Sequence, residues 1–413
     1  MARVRWWLAL VILVVACAQR PQPAVTAPTQ VPQAEASPSA TGTPLPTSTP
    51  DATAATGRVQ GIETAGLGTV TGEWVFVLNL VRPTAGLDYD REVWAISADG
   101  RTSRRLVVYT PGLGGGLDFV GQVTDNLARQ LSPDGRHLVI AAYVPSGTAN
   151  NRIVSIEIAT GRAVQLTTDT DSAELEPAWS PDGSLIAFAR VSRTDPRTGR
   201  SIWVMRPDGT GLRQLVPLAG TILGFTADGR DLCFGLACIE LASGQVRRFA
   251  GEMSGGAGAS WRTAQGAWRT SSPNFVGAFS KPARLAVADG PGSALRTVVE
   301  GNFMDPRWRP GAEEILCLSA GGDLWGDPWV FKAGGAGRKL LPGTIVRRAE
   351  WSRDGSSIFL IAADARIAPL PPAFPPATDL RRVAADGSSA VELFRPSRAD
   401  ATGLVDLASF TYK

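Results

Sequence analysis

From about residue 70 to the C-terminus, short apolar runs alternate with polar, glycine-containing turns. The apolar runs at 138–142, 185–188 and 358–361 span only four or five residues each. Runs of this length without polar alternation are typical of strands buried on both faces. The pattern therefore predicts many short β-strands joined by tight hairpins, with little helix.

The turns before these strands repeat. The clearest copy is Trp179-Ser-Pro-Asp-Gly183, in which proline fixes one φ angle and glycine supplies the positive φ that ends a type I turn. Successive copies lie 37 to 63 residues apart. Seven glycines mark strong and weak copies: Gly72, Gly135, Gly183, Gly229, Gly266, Gly311 and Gly355.

A second half-repeat follows the first. Residues 201–215 align without a gap on residues 92–106, so that Trp203 matches Trp94. Each segment contains an Asp-Gly pair, at Gly209 and Gly100, that suits a hairpin turn. Four strands per repeat, recurring about every 45 residues, are typical of a β-propeller blade, whereas solenoid repeats are usually shorter and need end caps.

The sequence therefore predicts an all-β fold, a β-propeller of four-stranded antiparallel blades. Seven blades fit the seven glycines, and six is the alternative if the weak copy at 257–300 belongs to a neighbour's insertion. Residues 403–412 form an apolar stretch after the last hairpin. We predict that this stretch closes the ring as the inner strand of blade one.

With Pro177 two residues before Trp179, the Trp-Ser-Pro-Asp-Gly copies resemble the Pro-Asp repeats of TolB-type propellers. The resemblance covers about residues 59–413 and implies six or more blades. Propellers of this type often act as binding platforms or accompany hydrolase domains. Where TolB has a small α/β domain, this chain has a signal-like segment and a polar linker, so only the architecture is carried over from the resemblance, without TolB's binding of Pal.

The N-terminus resembles that of a bacterial lipoprotein. Arg3 and Arg5 precede an eleven-residue apolar run, which suits a signal peptide and is too short to span a membrane. Val14-Val-Ala-Cys17 is similar to a lipobox, which implies cleavage after residue 16 and lipidation of Cys17. The alternative is an ordinary secretory signal with an incidental cysteine.

We accordingly divide the chain into a signal peptide (1–16), a lipidated tether (17–58) and a TolB-like propeller (59–413). Ala, Pro, Thr and Ser supply 28 of residues 18–58, which predicts a disordered linker. The expected location is extracytoplasmic, lipid-anchored to a bacterial membrane. By resemblance to lipoprotein sorting, Ala18 indicates the outer membrane in a diderm cell; in a monoderm, the outer face of the plasma membrane is expected.

Composition excludes much familiar chemistry. The formal net charge is +3, which implies no nucleic-acid partner, and His137 is the one histidine of the chain. No hydrolase, zinc-protease or phosphate-loop motif occurs, so we expect no catalytic residue, cofactor or metal. A calcium site formed by Asp169, Asp171, Glu174 and Glu176 is the alternative that the acidic spacing leaves open.

Two cysteines lie in a short predicted hairpin. With residues 235–236 as its turn, Phe234 would face Ala237 and Cys233 would face Cys238, which permits either a disulfide or two free buried thiols. Cys317 is expected to be a buried strand residue.

Most of the twelve tryptophans occupy repeat positions and are expected to pack in the core. Those near predicted loops give the candidate surface-binding residues. A Pro-rich segment at 369–376 is expected to be a rigid loop, with partner docking as its alternative role. The candidate residues are Trp268, Arg269, Asn274, Trp325 and Asp327.

These features favour a non-catalytic function. The chain is interpreted as a monomeric, membrane-anchored lipoprotein whose propeller binds an unknown protein, glycan or other cell-envelope ligand. The alternative is a glycosidase or lyase acting on extracellular glycans, which would need two carboxylates about 5–9.5 Å apart near the propeller axis.

Overall fold

A computed structural model of the chain describes residues 59–81, 90–110, 126–145, 150–169, 171–192, 200–219, 222–234, 237–248, 259–262, 265–270, 284–288, 294, 296–301, 303–320, 326–364, 378–396 and 403–413. The predicted signal peptide, Cys17, the tether at 18–58 and the Pro-rich segment at 369–376 lie outside these residues. In the described part of the chain, no helix is long and apolar enough to cross a membrane.

Within these residues, 28 strands and one short helix fall into seven groups, each of antiparallel strands. Group 1 contains β1 (Ile62–Thr64), β2 (Gly72–Val81), β3 (Asp90–Ser97), β4 (Ser103–Tyr109) and the last strand, β28 (Gly403–Tyr412). Group 2 contains α1 (Leu127–Gln130), β5 (His137–Val144), β6 (Asn150–Glu157) and β7 (Ala163–Gln165). Group 3 contains β8 (Ser172–Trp179), β9 (Ile186–Ser192), β10 (Arg200–Met205) and β11 (Arg213–Ala219).

Groups 4 to 7 each contain four strands. Group 4 contains β12 (Ile222–Phe225), β13 (Asp231–Phe234), β14 (Ala237–Glu240) and β15 (Val246–Arg248). Group 5 contains β16 (Ala259–Arg262), β17 (Gln265–Thr270), β18 (Arg284–Ala288) and β19 (Arg296–Glu300). Group 6 contains β20 (Phe303–Trp308), β21 (Glu314–Ala320), β22 (Gly326–Lys332) and β23 (Gly337–Lys339). Group 7 contains β24 (Thr344–Trp351), β25 (Ser357–Asp364), β26 (Thr378–Ala384) and β27 (Ala390–Phe394).

A repeated hydrogen-bonded turn follows the first element in four groups. In group 3, the Gly183 N–H donates to the Ser180 carbonyl at 2.9 Å, which closes the predicted turn. The Ser180 hydroxyl donates to the Asp182 carboxylate at 2.6 Å and accepts from the Leu185 N–H at 2.9 Å. Equivalent bonds, with Thr226 in place of serine in one copy, form the turns that end at Gly135, Gly229 and Gly355.

The first elements of the groups lie beside one another. β8 lies beside β12, β16 beside β20, β20 beside β24 and β24 beside β28, while α1 lies between β28 and β8. First elements that adjoin each other in this way, each starting an outward series of antiparallel strands, are the inner strands of a β-propeller. The predicted all-β propeller fold is confirmed.

The C-terminal strand closes the ring. β28 pairs with β2 from Gly72 opposite Tyr412 to Leu80 opposite Gly403, so it is the inner strand of group 1, as predicted. The Tyr412 hydroxyl also donates to the Gly135 carbonyl of group 2 at 2.7 Å. One strand therefore links the last part of the chain to the first two groups.

The N-terminal part of the described chain crosses from group 1 to group 2. β1 pairs with the outer strand β4, and the Leu67 N–H then donates to the Ile158 carbonyl at 2.7 Å. The Gly68 N–H donates to the Ala159 carbonyl at 2.9 Å. Residues 59–70 thus connect the outer edge of group 1 to the turn between β6 and β7 of group 2, a contact that the repeat pattern did not predict.

The apolar runs form the core as predicted. Every residue of the run at 358–361 has no exposed surface, and the run at 138–142 is buried. The tryptophans at the turn position are also buried, at Trp179, Trp308 and Trp351. These tryptophans therefore pack in the core, which was the expected role.

Candidate functional site

Inner strands of the propeller carry bulges that direct charged residues toward the axis. In β8, Glu176 and Pro177 interrupt the pairing with β9, and in β20, Asp305 and Pro306 interrupt the pairing with β21. A bulge bends its strand and redirects a side chain. Glu176 and Asp305 have φ values of 56° and 49°, an uncommon conformation for residues other than glycine. The same kind of bulge therefore directs an acidic side chain toward the axis in groups 3 and 6.

Arg348 of β24 joins two of the axial carboxylates. Its Nη1 atom pairs with Asp305 Oδ2, and its Nε atom lies 3.3 Å from Asp406 Oδ1. The second oxygen of Asp406 accepts a hydrogen bond from the Leu127 N–H at 2.7 Å. One guanidinium and one carboxylate thereby connect groups 6, 7, 1 and 2.

A second ion pair lies beside the first. Arg307 Nε donates to Glu350 Oε2 at 2.9 Å, and the Arg307 carbonyl accepts the indole N–H of Trp351 at 3.2 Å. Burial raises the pKa of Glu350, while Arg307 opposes that rise. Burial likewise raises the pKa of Asp406 against the opposing charge of Arg348. Asp406 is buried and Glu350 is half-buried, and each is held by an arginine.

Group 3 contributes two further acids. Glu176 pairs with Arg200 and accepts the Ile222 N–H of the next group at 2.9 Å. Glu174 is fully buried and lies 2.6 Å from Arg190. Burial raises the pKa of Glu174, and Arg190 opposes this effect.

The calcium alternative finds no support in these contacts. Asp169 lies 3.1 Å from Arg190, and its second oxygen accepts the Asp171 N–H at 2.8 Å. With Glu174 and Glu176 also paired to arginines, the oxygens that would bind Ca²⁺ face cations instead. Among the described residues, no group of three or more His, Cys, Asp or Glu side chains could hold a metal ion.

Arg129 of α1 contacts group 4. Its Nη1 atom donates to the Ile222 carbonyl of group 4, two groups away along the chain. Its aliphatic part packs on Gly224, where a Cβ would lie 3.1 Å from Arg129 Cδ. Burial lowers the pKa of Arg129 to about 10, an effect that Glu176 opposes and Arg307 reinforces.

Six charged residues on α1 and on the inner strands form what we call the axial charge cluster. Sequence reasoning missed it because bulges and a helical turn, rather than a motif, bring its members together. The usable signals were the acid-proline pairs at 176–177 and 305–306, three and two residues before the turn tryptophan. The cluster consists of Arg129, Glu176, Asp305, Arg307, Arg348 and Asp406.

The structure describes three of the five candidate surface-binding residues. Trp268 and Arg269, which were expected near a loop, lie in β17, paired with Ala286 and Leu285 of β18. Asp327 is the second residue of β22 in group 6, with Oδ2 2.8 Å from Lys339 Nζ. Asn274 and Trp325 lie outside the described residues. Surface binding by these residues remains a prediction.

The two hairpin cysteines pair as the register requires. Cys233 lies opposite Cys238, and Phe234 lies opposite Ala237. The structure joins the two cysteines in a disulfide, with their Cα atoms 3.9 Å apart. Cys317 is buried, and burial raises the pKa of its thiol, so it is poorly suited to act as a nucleophile.

No protein-family model matches the chain. A segment of 82 residues, 20% of the chain, is 40% identical to the Tol-Pal system protein TolB of Gluconobacter oxydans (strain 621H). That segment spans 14% of the TolB protein. The TolB-like character of the repeats, predicted from the Pro-Asp turns, is therefore confirmed.

Solved structures similar to the chain share little sequence with it. TolB of Acinetobacter baumannii is 16% identical, with 65% of this chain and 63% of that chain covered and a TM-score of 0.42. An oligogalacturonate lyase of Vibrio parahaemolyticus is 14% identical, with coverages of 79% and 87% and a TM-score of 0.49. The β-propeller domain of the Trilobed protease of Pyrococcus furiosus is 13% identical, with coverages of 64% and 83% and a TM-score of 0.44.

Proposed function

We propose that the chain is a membrane-anchored, extracytoplasmic lipoprotein whose propeller is a monomeric, non-catalytic binding platform for a protein or cell-envelope ligand. One observation carries the non-catalytic part. The acids of the axial charge cluster already accept bonds from arginines or backbone N–H groups, which ties them into the scaffold.

A general acid or base has to reach the reacting group of a substrate and exchange a proton with it. Asp406 uses one oxygen for Arg348 and the other for the Leu127 N–H. Glu176 likewise uses one oxygen for Arg200 and the other for the Ile222 N–H. Proton transfer by either acid would break contacts between groups, so a structural role is favoured.

A carboxylate-dependent glycan enzyme is the second candidate. Asp305 and Asp406 converge on Arg348, and burial raises the pKa of Asp406, as in a general acid. The test incubates the purified protein, and a folded Asp406→Asn variant, with polygalacturonate and with peptidoglycan. Our proposal predicts no product from either protein. Product formation that Asp406→Asn abolishes would replace it with the enzyme.

The anchor is tested by changing Cys17 to serine. Lipoproteins lose their membrane attachment without the lipidated cysteine, so Cys17→Ser should move the protein from the membrane fraction to the soluble extracytoplasmic fraction. Cys317→Ser is the matched control, because Cys317 lies in β21 within the propeller. Equal distribution of wild type and Cys17→Ser would contradict the lipid anchor.

The binding role is tested with the anchored full chain. Membranes that carry it are cross-linked, and the adducts are compared with those of a variant lacking residues 369–376 and of one lacking an equal length of the tether. We expect a discrete adduct with wild type and with the tether deletion. Loss of the adduct in the 369–376 variant would assign the contact to that segment. No adduct in any of the three would contradict the proposed platform.

A further inference from the structure

One axial arginine is not neutralised by its neighbours. No carboxylate of the described residues lies within 4.0 Å of the Arg129 guanidinium, whereas Arg307 and Arg348 each have such a partner. The Nε atom of Arg129 is buried and has no hydrogen-bond partner among the described residues. A buried donor without a partner is costly, and the cost is greater when the donor is charged.

The position of this side chain is nevertheless well defined. Its stem packs on the Gly224 backbone, and its Nη1 atom donates to the Ile222 carbonyl. These contacts come from β12, so the side chain spans the space between α1 and group 4. A fixed guanidinium loses less conformational freedom on binding than a mobile surface arginine does.

The surroundings also favour an anion. Arg307 and Arg348 are close enough to depress the pKa of Arg129, so three guanidinium groups contribute positive potential at the axis. The acids Glu176 and Asp406 reduce this potential, but their oxygens are already bonded to other groups. The Arg348 side chain retains 26% of its surface exposed, so water and small solutes reach the cluster.

We propose that Arg129 binds the carboxylate group of a ligand that enters the propeller axis. A guanidinium presents parallel N–H donors that match the two oxygens of a carboxylate. Either an acidic sugar or a peptide C-terminus supplies this group. The inference rests on the proposed binding function and names the chemistry that the propeller recognises.

The test measures the thermal stability of the full chain against ligand concentration, since a ligand that binds only the folded state stabilises it. The probes are D-glucuronate for the sugar acid and N-acetyl-L-alanine for the peptide terminus. D-glucose and N-acetyl-L-alanine amide are their uncharged controls. We expect one charged probe to raise the melting temperature in a saturable way, and its uncharged control to have no effect.

Arg129→Gln is the informative variant because Glu176 keeps Arg200 and the Ile222 N–H as partners. The variant should fold and bind the active probe about tenfold more weakly, the usual effect of losing a charge-assisted hydrogen bond. Arg129→Lys should recover part of the affinity, and Arg101→Gln on the exposed 97–102 turn should leave it unchanged. If Arg129→Gln does not fold, the Lys variant alone should still bind more weakly than wild type.

Failure of the two proposals can be told apart. Equal responses to charged and uncharged probes, or equal affinity in wild type and Arg129→Gln, would overturn the carboxylate site. The cross-linked adduct of the anchored chain would still form in that case. Absence of the adduct together with saturable carboxylate binding would instead remove the macromolecular platform and leave a small-molecule binding protein.

Discussion

Groups 2 and 3 share a turn and differ at the axis. Each has the Ser-Pro-Asp-Gly turn with the same three hydrogen bonds, followed by a largely buried strand, β5 or β9. The inner element of group 3 is the eight-residue strand β8. In group 2, the four-residue helix α1 takes that place, and a single bridge from Leu131 to Leu138 connects it to β5.

The difference distinguishes the part of each group that builds the fold from the part that places a charged side chain at the axis. Local hydrogen bonds specify the hairpin wherever the turn sequence occurs, so it forms in both groups. The inner element of each group is determined instead by its contacts with neighbouring groups around the axis, so it differs from one group to another. β8 there presents Glu176, which is paired, while α1 presents Arg129, which has no carboxylate within ion-pair distance among the described residues.

The largest expected effect comes from removing β28, the inner strand of group 1, which also contacts α1 of group 2. Deleting residues 400–413 removes β28, exposes β2 and takes away the Asp406 contact that holds α1. We expect loss of the cooperative thermal transition and of native circular dichroism. Deleting residues 21–50 of the tether is the control and should leave both unchanged. A truncated chain with normal unfolding would show that the ring does not need this strand.

A strand-borne arginine should matter far more for stability than the helix-borne one. Arg348→Gln leaves Asp305 and Asp406 without their common partner, which should destabilise the protein by about 3–5 kcal/mol. Arg129→Gln removes a charge that has no close carboxylate and should cost less than about 1 kcal/mol. Urea unfolding of the two variants measures both values. Equal losses would mean that Arg129 is also structural.

Alanine in place of a turn glycine should destabilise the protein by different amounts in the two groups. Gly135 and Gly183 have φ values of 69° and 72°, so alanine at either position costs about 1–2 kcal/mol. At Gly135 the new Cβ would also lie 2.3 Å from the Phe410 ring of β28, whereas at Gly183 the nearest atom is 3.9 Å away. Gly135→Ala should therefore lose about 1–3 kcal/mol more than Gly183→Ala. Identical midpoints in urea would contradict the close contact.

The smallest expected effect is the contribution of Asp182 to the pH dependence of stability. The hydrogen bond from Ser180, followed by the bond from the Ser184 N–H, lowers the pKa of Asp182 in the folded state. This carboxylate therefore stabilises the fold above its unfolded pKa of about 4, and the contribution is lost as the pH falls through the folded value. Unfolding free energy should decline below pH of about 4, and less steeply in Ser180→Ala. If the free energy of unfolding of Ser180→Ala fell with pH as steeply as that of wild type, the turn would be excluded as a source of this pH dependence.

Local and repeated features could be predicted from the sequence. The turns, the buried runs, the closing strand and the Cys233–Cys238 register follow from short-range patterns or from counting strands. The axial charge cluster could not be predicted in this way, because its members come from five groups and converge only through bulges. Arg129 was missed because a strand was expected where α1 forms. The position of Trp268 in β17 was not predicted, because proximity to a predicted loop says nothing about strand pairing.

The location of an anion in the folded protein tests the axial site most directly. Crystals of the full chain and of Arg129→Gln, soaked in bromide under identical conditions, would be compared by anomalous scattering. The structure predicts a bromide peak at the Arg129 guanidinium, near Arg307 and Arg348, that disappears in the variant. Bromide bound only at exposed arginines such as Arg101, or an axial peak that persists in Arg129→Gln, would contradict the assignment.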